Sequence, residues 1–207
     1  MRDAILPYPV TQAHQTHGTQ IAVIDRPGVT REELEGIDAL ITDVPGIALG
    51  ARSADCIPVL LHDPVRKAVA AVHSGWRGTV ARISAKAIAR MHDEYGTSAS
   101  DLHAVIGPGI GADSFQVGTE VVEAFREAGF DMERIWSSRG PKLPGSMAGG
   151  EHIDLWEAVR LTLLDAGITA ASIQLAGIDT YTDTRFYSAR REGTACGRII
   201  TAIRLAR

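Results

Sequence analysis

The sequence lacks several features that define specialised classes of protein. Only two of its 207 residues are cysteines, Cys56 and Cys196, and they lie far apart in the chain. Two cysteines are too few for a disulfide framework or a four-cysteine zinc module, and a cytosolic chain would keep both reduced. No apolar run approaches the roughly 20 residues of a membrane span, and the N-terminal part does not resemble a signal peptide. We therefore expect a cytoplasmic protein that does not enter a membrane.

Charge and histidine content exclude further classes. The formal net charge of −4 gives no electrostatic reason to expect nucleic acid or an anionic membrane as the main partner. The seven histidines contain no His-x-His pair, and a multicopper oxidase needs more histidines than this in such pairs. A site for a single metal ion is still compatible with this composition.

The composition and the apolar pattern predict one mixed α/β or α+β domain over residues 1–207. Hydrophobic residues make up 45% of the chain and charged residues 22%, which is typical of a globular domain. Continuous apolar runs predict central strands at 20–25, 38–42, 57–62 and 68–73, and shorter runs predict strands at 102–106, 172–178 and 198–205. Helical spacing predicts helices at 79–95, 117–128 and 154–166. The segment 137–150 has four glycines, two prolines and no periodicity, so we expect a mobile loop there.

Three residues with metal-binding side chains stand at the edges of predicted elements: His17, Cys56 and His73. A thiolate and two neutral imidazoles are good zinc ligands, and three protein ligands leave a fourth position open for water. Zinc would lower the pKa of that water to about 7 and supply hydroxide at neutral pH. The spacing alone also fits a buried cysteine and two edge histidines. Asp55 could orient a ligating imidazole, or it could be a turn aspartate.

The segment His-Ser-Gly-Trp-Arg-Gly at 73–78 joins an apolar strand to a helix. Backbone amides at a helix N-terminus, together with the Arg77 guanidinium, would suit a phosphate or carboxylate. The alternative is a packed Trp76 in a tight turn, which does not explain Arg77. Cys196 is expected to be a small buried side chain. The other histidines are expected at the surface or at caps: His14, His62, His92, His103 and His152.

Several short motifs occur in an order that resembles a known family. They are Q-T-H-G at 15–18, D-A-L-I-T at 38–42, A-D-C-I-P-V-L-L at 54–61, H-S-G-W-R-G at 73–78, I-G-P-G-I-G at 106–111, F-Q-V-G at 115–118, I-D-L at 153–155, F-Y-S-A-R-R at 186–191 and G-R at 197–198. Together they resemble the YfiH-like family, long labelled "multicopper polyphenol oxidase laccase" and later associated with purine nucleoside phosphorolysis. The resemblance runs from about residue 15 to residue 205.

The sequence also departs from the pattern of that family. Family chains usually begin with an additional segment of some sixty residues, so the resemblance implies a short member without it. Gln116 stands where glutamate is common, Asp179 where cysteine is common, and Cys196 where threonine is usual. These departures leave the three expected metal ligands unchanged but weaken an inference about purine specificity.

The resemblance implies a fold, a metal site and an activity. The fold would be a three-layer domain with a mixed β-sheet flanked by helices, like that of a CNF-type toxin deamidase. Zinc would be bound by His17, Cys56 and His73, with Cys56, His73 and Arg77 as catalytic residues. For this activity, the anion site suggested by the 73–78 segment itself would hold the phosphate through Arg77 and Gly78. The activity would be phosphorolysis of adenosine, inosine and methylthioadenosine, with deamination of adenosine as a further reaction.

Two alternatives belong to other classes. Cys56 could be the nucleophile of a metal-free hydrolase or amidase acting on peptidoglycan precursors, with His17 or His73 as the base. The chain could instead bind zinc without catalysing a reaction. The expected partners of the enzyme are a purine nucleoside and phosphate, with no nucleic acid and no membrane. The sequence leaves open whether the protein is a monomer or a homodimer.

Overall fold

The computed structural model describes residues 8–138 and 150–206. Within them the strands are β1 (Val10–Gln12), β2 (Gln20–Val23), β3 (Ile37–Thr42), β4 (Ala48–Ser53), β5 (Ile57–Asp63), β6 (Ala68–Ser74), β7 (His103–Ile106), β8 (Gln116–Val117), β9 (Trp136–Ser137), β10 (Glu151–Ile153), β11 (Ile173–Leu175) and β12 (Ile199–Arg204). The α-helices are α1 (Trp76–Val80), α2 (Ile83–Tyr95), α3 (Thr119–Glu127), α4 (Met132–Ile135), α5 (Leu155–Asp165) and α6 (Ala189–Glu192).

A mixed six-stranded sheet forms the centre of the molecule, with the strand order β11-β7-β5-β6-β3-β2. Its inner pairs are antiparallel, whereas β2 pairs with β3 and β11 with β7 in parallel. Both faces of β3, β5 and β6 are largely buried, so successive side chains of these strands alternate between two apolar environments. In β3, for example, Ala39 and Ile41 belong to one core cluster and Leu40 to the other. This two-sided burial explains the apolar runs of β3, β5 and β6 and confirms them as central strands. The fourth strand predicted to be central, β2, was wrongly placed, because it forms an edge of the sheet beside β3.

The two faces of the sheet are covered by different kinds of element. Helices α2, α3 and α5 contribute Met91, Phe125 and Leu163 to the core on one face. A second sheet with the order β1-β4-β12 covers the other face, where Leu49 packs beside Val69 of β6. The resulting three layers confirm the mixed α+β fold, although strands rather than helices form one of the outer layers.

Several predicted boundaries were wrong. The helix predicted at 79–95 is two helices, because Arg82 adopts a left-handed backbone conformation with φ 58° between α1 and α2. The helix predicted at 117–128 begins at Thr119, because β8 pairs with β10 just before it. Strands β1, β4, β8, β9 and β10 were not predicted. Of the expected mobile loop at 137–150, residues 139–149 lie outside the described residues.

Across residues 8–138 and 150–206, no helix combines the length and the hydropathy that a transmembrane span requires.

Candidate metal centre

The three predicted metal ligands meet at one end of the central sheet. Cys56 directly precedes β5, and His73 lies near the end of β6. Because β5 and β6 are antiparallel, with Pro58 opposite His73, the start of one strand lies beside the end of the other. His17 comes from the loop between β1 and β2. The ligand atoms of the three residues lie within 4.8 Å of one another, and no other such group occurs among the described residues.

The spacing of these donors fits a tetrahedral zinc ion. Cys56 Sγ lies 3.7 Å from His17 Nε2. Zinc–sulfur and zinc–nitrogen bonds of about 2.3 and 2.05 Å at tetrahedral angles separate the two donors by about 3.6 Å. The rings of His17 and His73 meet edge to face, with their centroids 5.0 Å apart. One thiolate and two imidazoles are a donor set that suits zinc and leaves a coordination position open.

Gly75 leaves room for two of the expected ligands. A Cβ atom at this position would lie 2.9 Å from His17 Cδ2 and 3.0 Å from Cys56 Sγ. Any larger residue would therefore displace the side chains that are expected to bind the metal.

Asp38, which the sequence analysis did not identify as a site residue, holds two of the expected ligands in place. Its Oδ1 accepts hydrogen bonds from His73 Nδ1 at 2.8 Å and from the His17 backbone N–H at 3.0 Å. Its Oδ2 accepts from the backbone N–H groups of Thr16 at 3.2 Å and Gly18 at 2.7 Å. The side chain is fully buried. The bond to Nδ1 leaves Nε2 of His73 available as a ligand atom.

Asp55 does not perform the orienting role that the sequence suggested. Its Oδ1 accepts a hydrogen bond from Thr180 Oγ1 at 2.7 Å, and its Oδ2 accepts one from the backbone N–H of Arg190 at 2.6 Å. Asp55 therefore ties the segment before β12 to the loop that carries Cys56, whereas Asp38 orients the imidazole.

Without a metal, the protonation of Cys56 and His73 is strongly coupled. Burial opposes ionisation of the Cys56 thiol, but hydrogen bonds from His17 and His73 outweigh it and lower the pKa to about 6. Burial also disfavours the charged form of His73, but hydrogen bonds to Asp38 and Cys56 raise its pKa to about 9. Burial of Asp38 is likewise outweighed, chiefly by His73, so its pKa is lowered. A thiolate–imidazolium pair at neutral pH follows for the metal-free site.

The centre opens into a cavity of about 1400 Å³. Besides the three ligands, it is lined by the aromatic side chains of Trp76 and Phe115 and by Gln116 and Arg190, among others. Arg190 lies over the Phe115 ring, with its guanidinium carbon 5.5 Å from the ring centroid. The cavity therefore combines apolar ring surfaces with polar groups beside the donor cluster.

The two residues expected to bind phosphate do not line this cavity. Arg77 is exposed, and its guanidinium carbon lies 4.3 Å from the centroid of the Trp76 ring. Gly78 is buried, and a Cβ atom there would lie 3.3 Å from Ile83 Cγ2. Arg77, but not Gly78, is adjacent in the chain to a residue that lines the cavity, which is Trp76.

Two other expectations were wrong. Cys196 is only half-buried and lines the cavity rather than the core. His152 is buried, because β10 lies between β8 and β9 and its Nδ1 bonds to the Gly150 carbonyl. His14, by contrast, is exposed, lines the cavity and contacts the Glu35 carboxylate.

With this geometry established, comparison with known proteins assigns the family. The family described as "Multi-copper polyphenol oxidoreductase laccase" matches residues 3–206. The chain belongs to this family. The match confirms the resemblance to the YfiH-like, laccase-like group that the sequence motifs indicated.

Relatives of this laccase-like family carry enzyme names. A protein from Bacteroides thetaiotaomicron named "Purine nucleoside phosphorylase" is 45% identical over 196 residues, which cover 93% of this chain and 70% of the relative. A prokaryotic protein named "Adenosine deaminase RL5" is 42% identical and covers 91% and 72%, respectively.

A solved structure of the family has the same fold. The Bacillus licheniformis protein titled "hypothetical protein YfiH" superimposes with a TM-score of 0.85 at 30% identity, covering 95% of this chain and 74% of that one. The "YlmD" structure from Geobacillus stearothermophilus gives a TM-score of 0.84 at 28% identity over 96% and 74%. Both likenesses confirm the mixed α+β fold.

Proposed function

We propose that this family member is a zinc enzyme that acts on purine nucleosides. Its reactions would be phosphorolysis of adenosine, inosine and methylthioadenosine, and deamination of adenosine. The observation that carries the proposal is the convergence of one thiol and two imidazoles, within 4.8 Å, at the wall of a large cavity. The names of the two relatives support the same substrate class.

His17, Cys56 and His73 would hold the zinc. In that position it would supply a Lewis acid and a nucleophilic water near neutral pH. Asp38 would keep His73 in the tautomer with the proton on Nδ1, and its bonds to the backbone of the 16–18 loop would fix the position of His17. A ligand set that is held in place in this way loses little entropy when the metal binds.

A nucleoside would meet both apolar and polar groups in this cavity. Trp76 offers a ring surface against which a purine base can pack. Phe115 is largely buried and lies under the Arg190 guanidinium, and Gln116 and Arg190 offer polar groups beside it. Phosphorolysis breaks the bond between ribose C1′ and the base nitrogen and forms a bond from C1′ to a phosphate oxygen. Positioning of the two substrates and stabilisation of the positive charge at C1′ would supply most of the rate gain.

The phosphate would be held by Arg77 and Gly78. Phosphate binding by Arg77 and Gly78 requires Arg77 to leave the Trp76 ring and reach the cavity. A cytoplasmic location and the absence of a nucleic-acid partner rest on composition alone.

A metal-free thiol hydrolase is the second candidate, and one observation favours it. The Cys56 thiol, with its pKa lowered to about 6, and His73, with its pKa raised to about 9, form the ion pair that a cysteine nucleophile and its base need. The two functions exclude each other, because a thiolate bound to zinc is not free to attack a carbonyl carbon. An amide, such as one in a peptidoglycan precursor, would then be the substrate.

Chromatography of adenosine incubated with the purified protein, with and without phosphate, tests the proposal. We expect adenine only when phosphate is present, inosine in both cases, and neither product with Cys56→Ser. Asp93→Asn, an exposed change on α2, is the matched control and should leave both products unchanged. Untouched adenosine in the presence of bound zinc would contradict the proposal and favour an amide substrate or a non-catalytic role.

A further inference from the structure

Three further arginines line the cavity: Arg31, Arg52 and Arg198. Arg52 lies on β4, and Arg198 directly precedes β12, which pairs with β4 so that Ile200 is opposite Arg52. Arg31 lies between β2 and β3, and its Nε donates a hydrogen bond to the Ala13 carbonyl at 3.4 Å. Strand pairing and this hydrogen bond therefore bring three cationic side chains to one wall.

The backbone of Arg52 is fixed by hydrogen bonds to Gln15, a residue close to the metal centre. The Gln15 side chain accepts a hydrogen bond from the Arg52 N–H at 2.9 Å and donates one to the Arg52 carbonyl at 2.7 Å. Gln15 is two residues from His17, so the loop that positions one expected metal ligand also positions this arginine. Gln15 thus links the backbone of Arg52 to the loop that carries His17.

These positive charges are not neutralised by the protein itself. Across residues 8–138 and 150–206, none of the three arginines forms an ion pair with a carboxylate. The Arg198 guanidinium donates to backbone carbonyls, including that of Gly197 at 3.0 Å and that of Thr194 at 2.9 Å. Burial lowers the pKa of Arg52, and the charges of Arg31 and Arg198 lower it further. Like charges at this wall repel one another, and a bound anion would relieve the repulsion.

The acidic residues of the neighbourhood lie elsewhere. The exception is Glu32, which follows Arg31 in the chain. Both side chains are exposed. A hydrogen bond to its own backbone and, to a smaller extent, the Arg31 charge lower the pKa of Glu32, although the two residues form no ion pair. Glu120 and Glu151 also line the cavity, on α3 and β10, and Glu151 accepts a hydrogen bond from Trp136 Nε1 at 2.5 Å. The two glutamates of the cavity thus lie on α3 and β10, whereas the side of the cavity formed by β4 and β12 is positively charged.

We propose that Arg31, Arg52 and Arg198 form an anion subsite that binds a phosphoryl group. Guanidinium groups bind phosphate oxygens through paired, charge-assisted hydrogen bonds, which makes arginine clusters typical phosphate sites. The phosphoryl group could belong to inorganic phosphate or to a phosphate monoester on the nucleoside. The inference rests on the proposed function only in assigning the nucleoside to the same cavity.

Isothermal titration calorimetry of the purified protein tests the subsite without requiring turnover. The probes are inorganic phosphate, adenosine and adenosine 5′-monophosphate. We expect Arg52→Gln to weaken the binding of a phosphate-bearing probe by about 10- to 100-fold, because one charge-assisted interaction is lost, and to change adenosine binding less than about twofold. Arg90→Gln, on α2 outside the cavity, is the matched control and should change none of the three affinities.

The two sources of the phosphoryl group give different results. If adenosine 5′-monophosphate binds more tightly than adenosine and loses that advantage in Arg52→Gln, the subsite takes a phosphorylated substrate. If only inorganic phosphate is affected, the subsite takes the free anion. Both results support the subsite. Should Arg52→Gln fail to fold, Arg31→Gln and Arg198→Gln carry the same test, because both side chains are exposed.

Two results would overturn the inference. One is unchanged binding of both phosphate-bearing probes in all three arginine variants that retain the thermal stability of the wild type. The other is phosphate binding that is lost in Cys56→Ser but kept in the arginine variants, which would locate the anion on the metal. If the protein does not convert nucleosides, the binding measurements can still be made and interpreted. The anion subsite and the proposed reaction are therefore tested independently.

Discussion

Replacing Asp38 with asparagine exchanges one carboxylate oxygen for an NH₂ group next to His17 and His73. The two carboxylate oxygens each accept two hydrogen bonds, so four donors depend on this side chain. In Asp38→Asn, one of the two positions becomes an NH₂ group, which cannot accept. Whichever way the amide is turned, two of the four donors lose their acceptor.

The size of the effect follows from these four bonds. A buried donor without an acceptor costs about 1–3 kcal/mol, so the loss of two acceptors predicts a decrease of about 2–6 kcal/mol in the free energy of unfolding. Misplacement of His17 and His73 should also lower metal affinity by about 10- to 100-fold, as is typical when the partner of a ligating histidine is removed.

Two assays measure these effects. Urea unfolding of the metal-free protein gives the stability change, and competition with a chromophoric chelator gives the zinc affinity. Asp93→Asn is the matched control, since an exposed aspartate on α2 should change stability by less than about 0.5 kcal/mol. An Asp38→Asn protein with wild-type stability and wild-type zinc affinity would refute the role assigned to Asp38.

The same variant should alter the dependence of stability on pH. The pKa of Asp38 is lower in the folded protein than its usual value of 3.8, because hydrogen bonds from His73 and the loop outweigh burial. The stabilisation from this carboxylate is therefore fully present above pH 3.8 and is lost as the pH falls through the lower folded pKa. In Asp38→Asn this acid-dependent loss should be smaller.

Three further predictions concern the centre and its surroundings. Gly75→Ala should lower zinc affinity at least tenfold while the fold is retained in circular dichroism, because the added methyl group would contact His17 and Cys56; unchanged affinity would contradict the close approach. In metal-free Cys196→Ser protein, the rate of iodoacetamide alkylation should rise with pH around a midpoint near 6, as the Cys56 pKa requires, and added zinc should suppress it; a midpoint near 9 would argue against the ion pair. Arg77→Ala should raise the KM for phosphate more than it alters zinc content, and equal zinc loss with an unchanged phosphate dependence would refute its phosphate role.

The central strands could be predicted because their residues are apolar on both faces. Runs such as that of β6 have no polar alternation, and the structure buries every residue of the strand. Strand β4 was missed, because its Gly50, Arg52 and Ser53 break the apolar pattern, and its position depends on pairing with β1 and β12. Pairing between distant segments leaves no local signal.

The three candidate ligands could be identified from residue type and position, but their supporting residues could not. Asp38 stands at the start of an apolar run. A carboxylate in a buried strand needs hydrogen-bonding partners, so its presence there could have indicated a functional role. Its partners lie about 20 and 35 positions away, so only the fold reveals the four hydrogen bonds. Asp55 was the more obvious candidate because it is adjacent to Cys56. It lies in the bend between β4 and β5 with φ 86°, however, and its carboxylate bonds to Thr180 and Arg190 rather than to an imidazole.

The metal content of the purified protein distinguishes a zinc centre from a free thiol nucleophile. Elemental analysis of the wild type and of Cys56→Ser, prepared in parallel, should give about one zinc ion per wild-type chain, since three ligands meet at one site, and little or none in the variant. A metal-free wild-type protein that is active and is inactivated by iodoacetamide would contradict the account and identify Cys56 as a nucleophile instead.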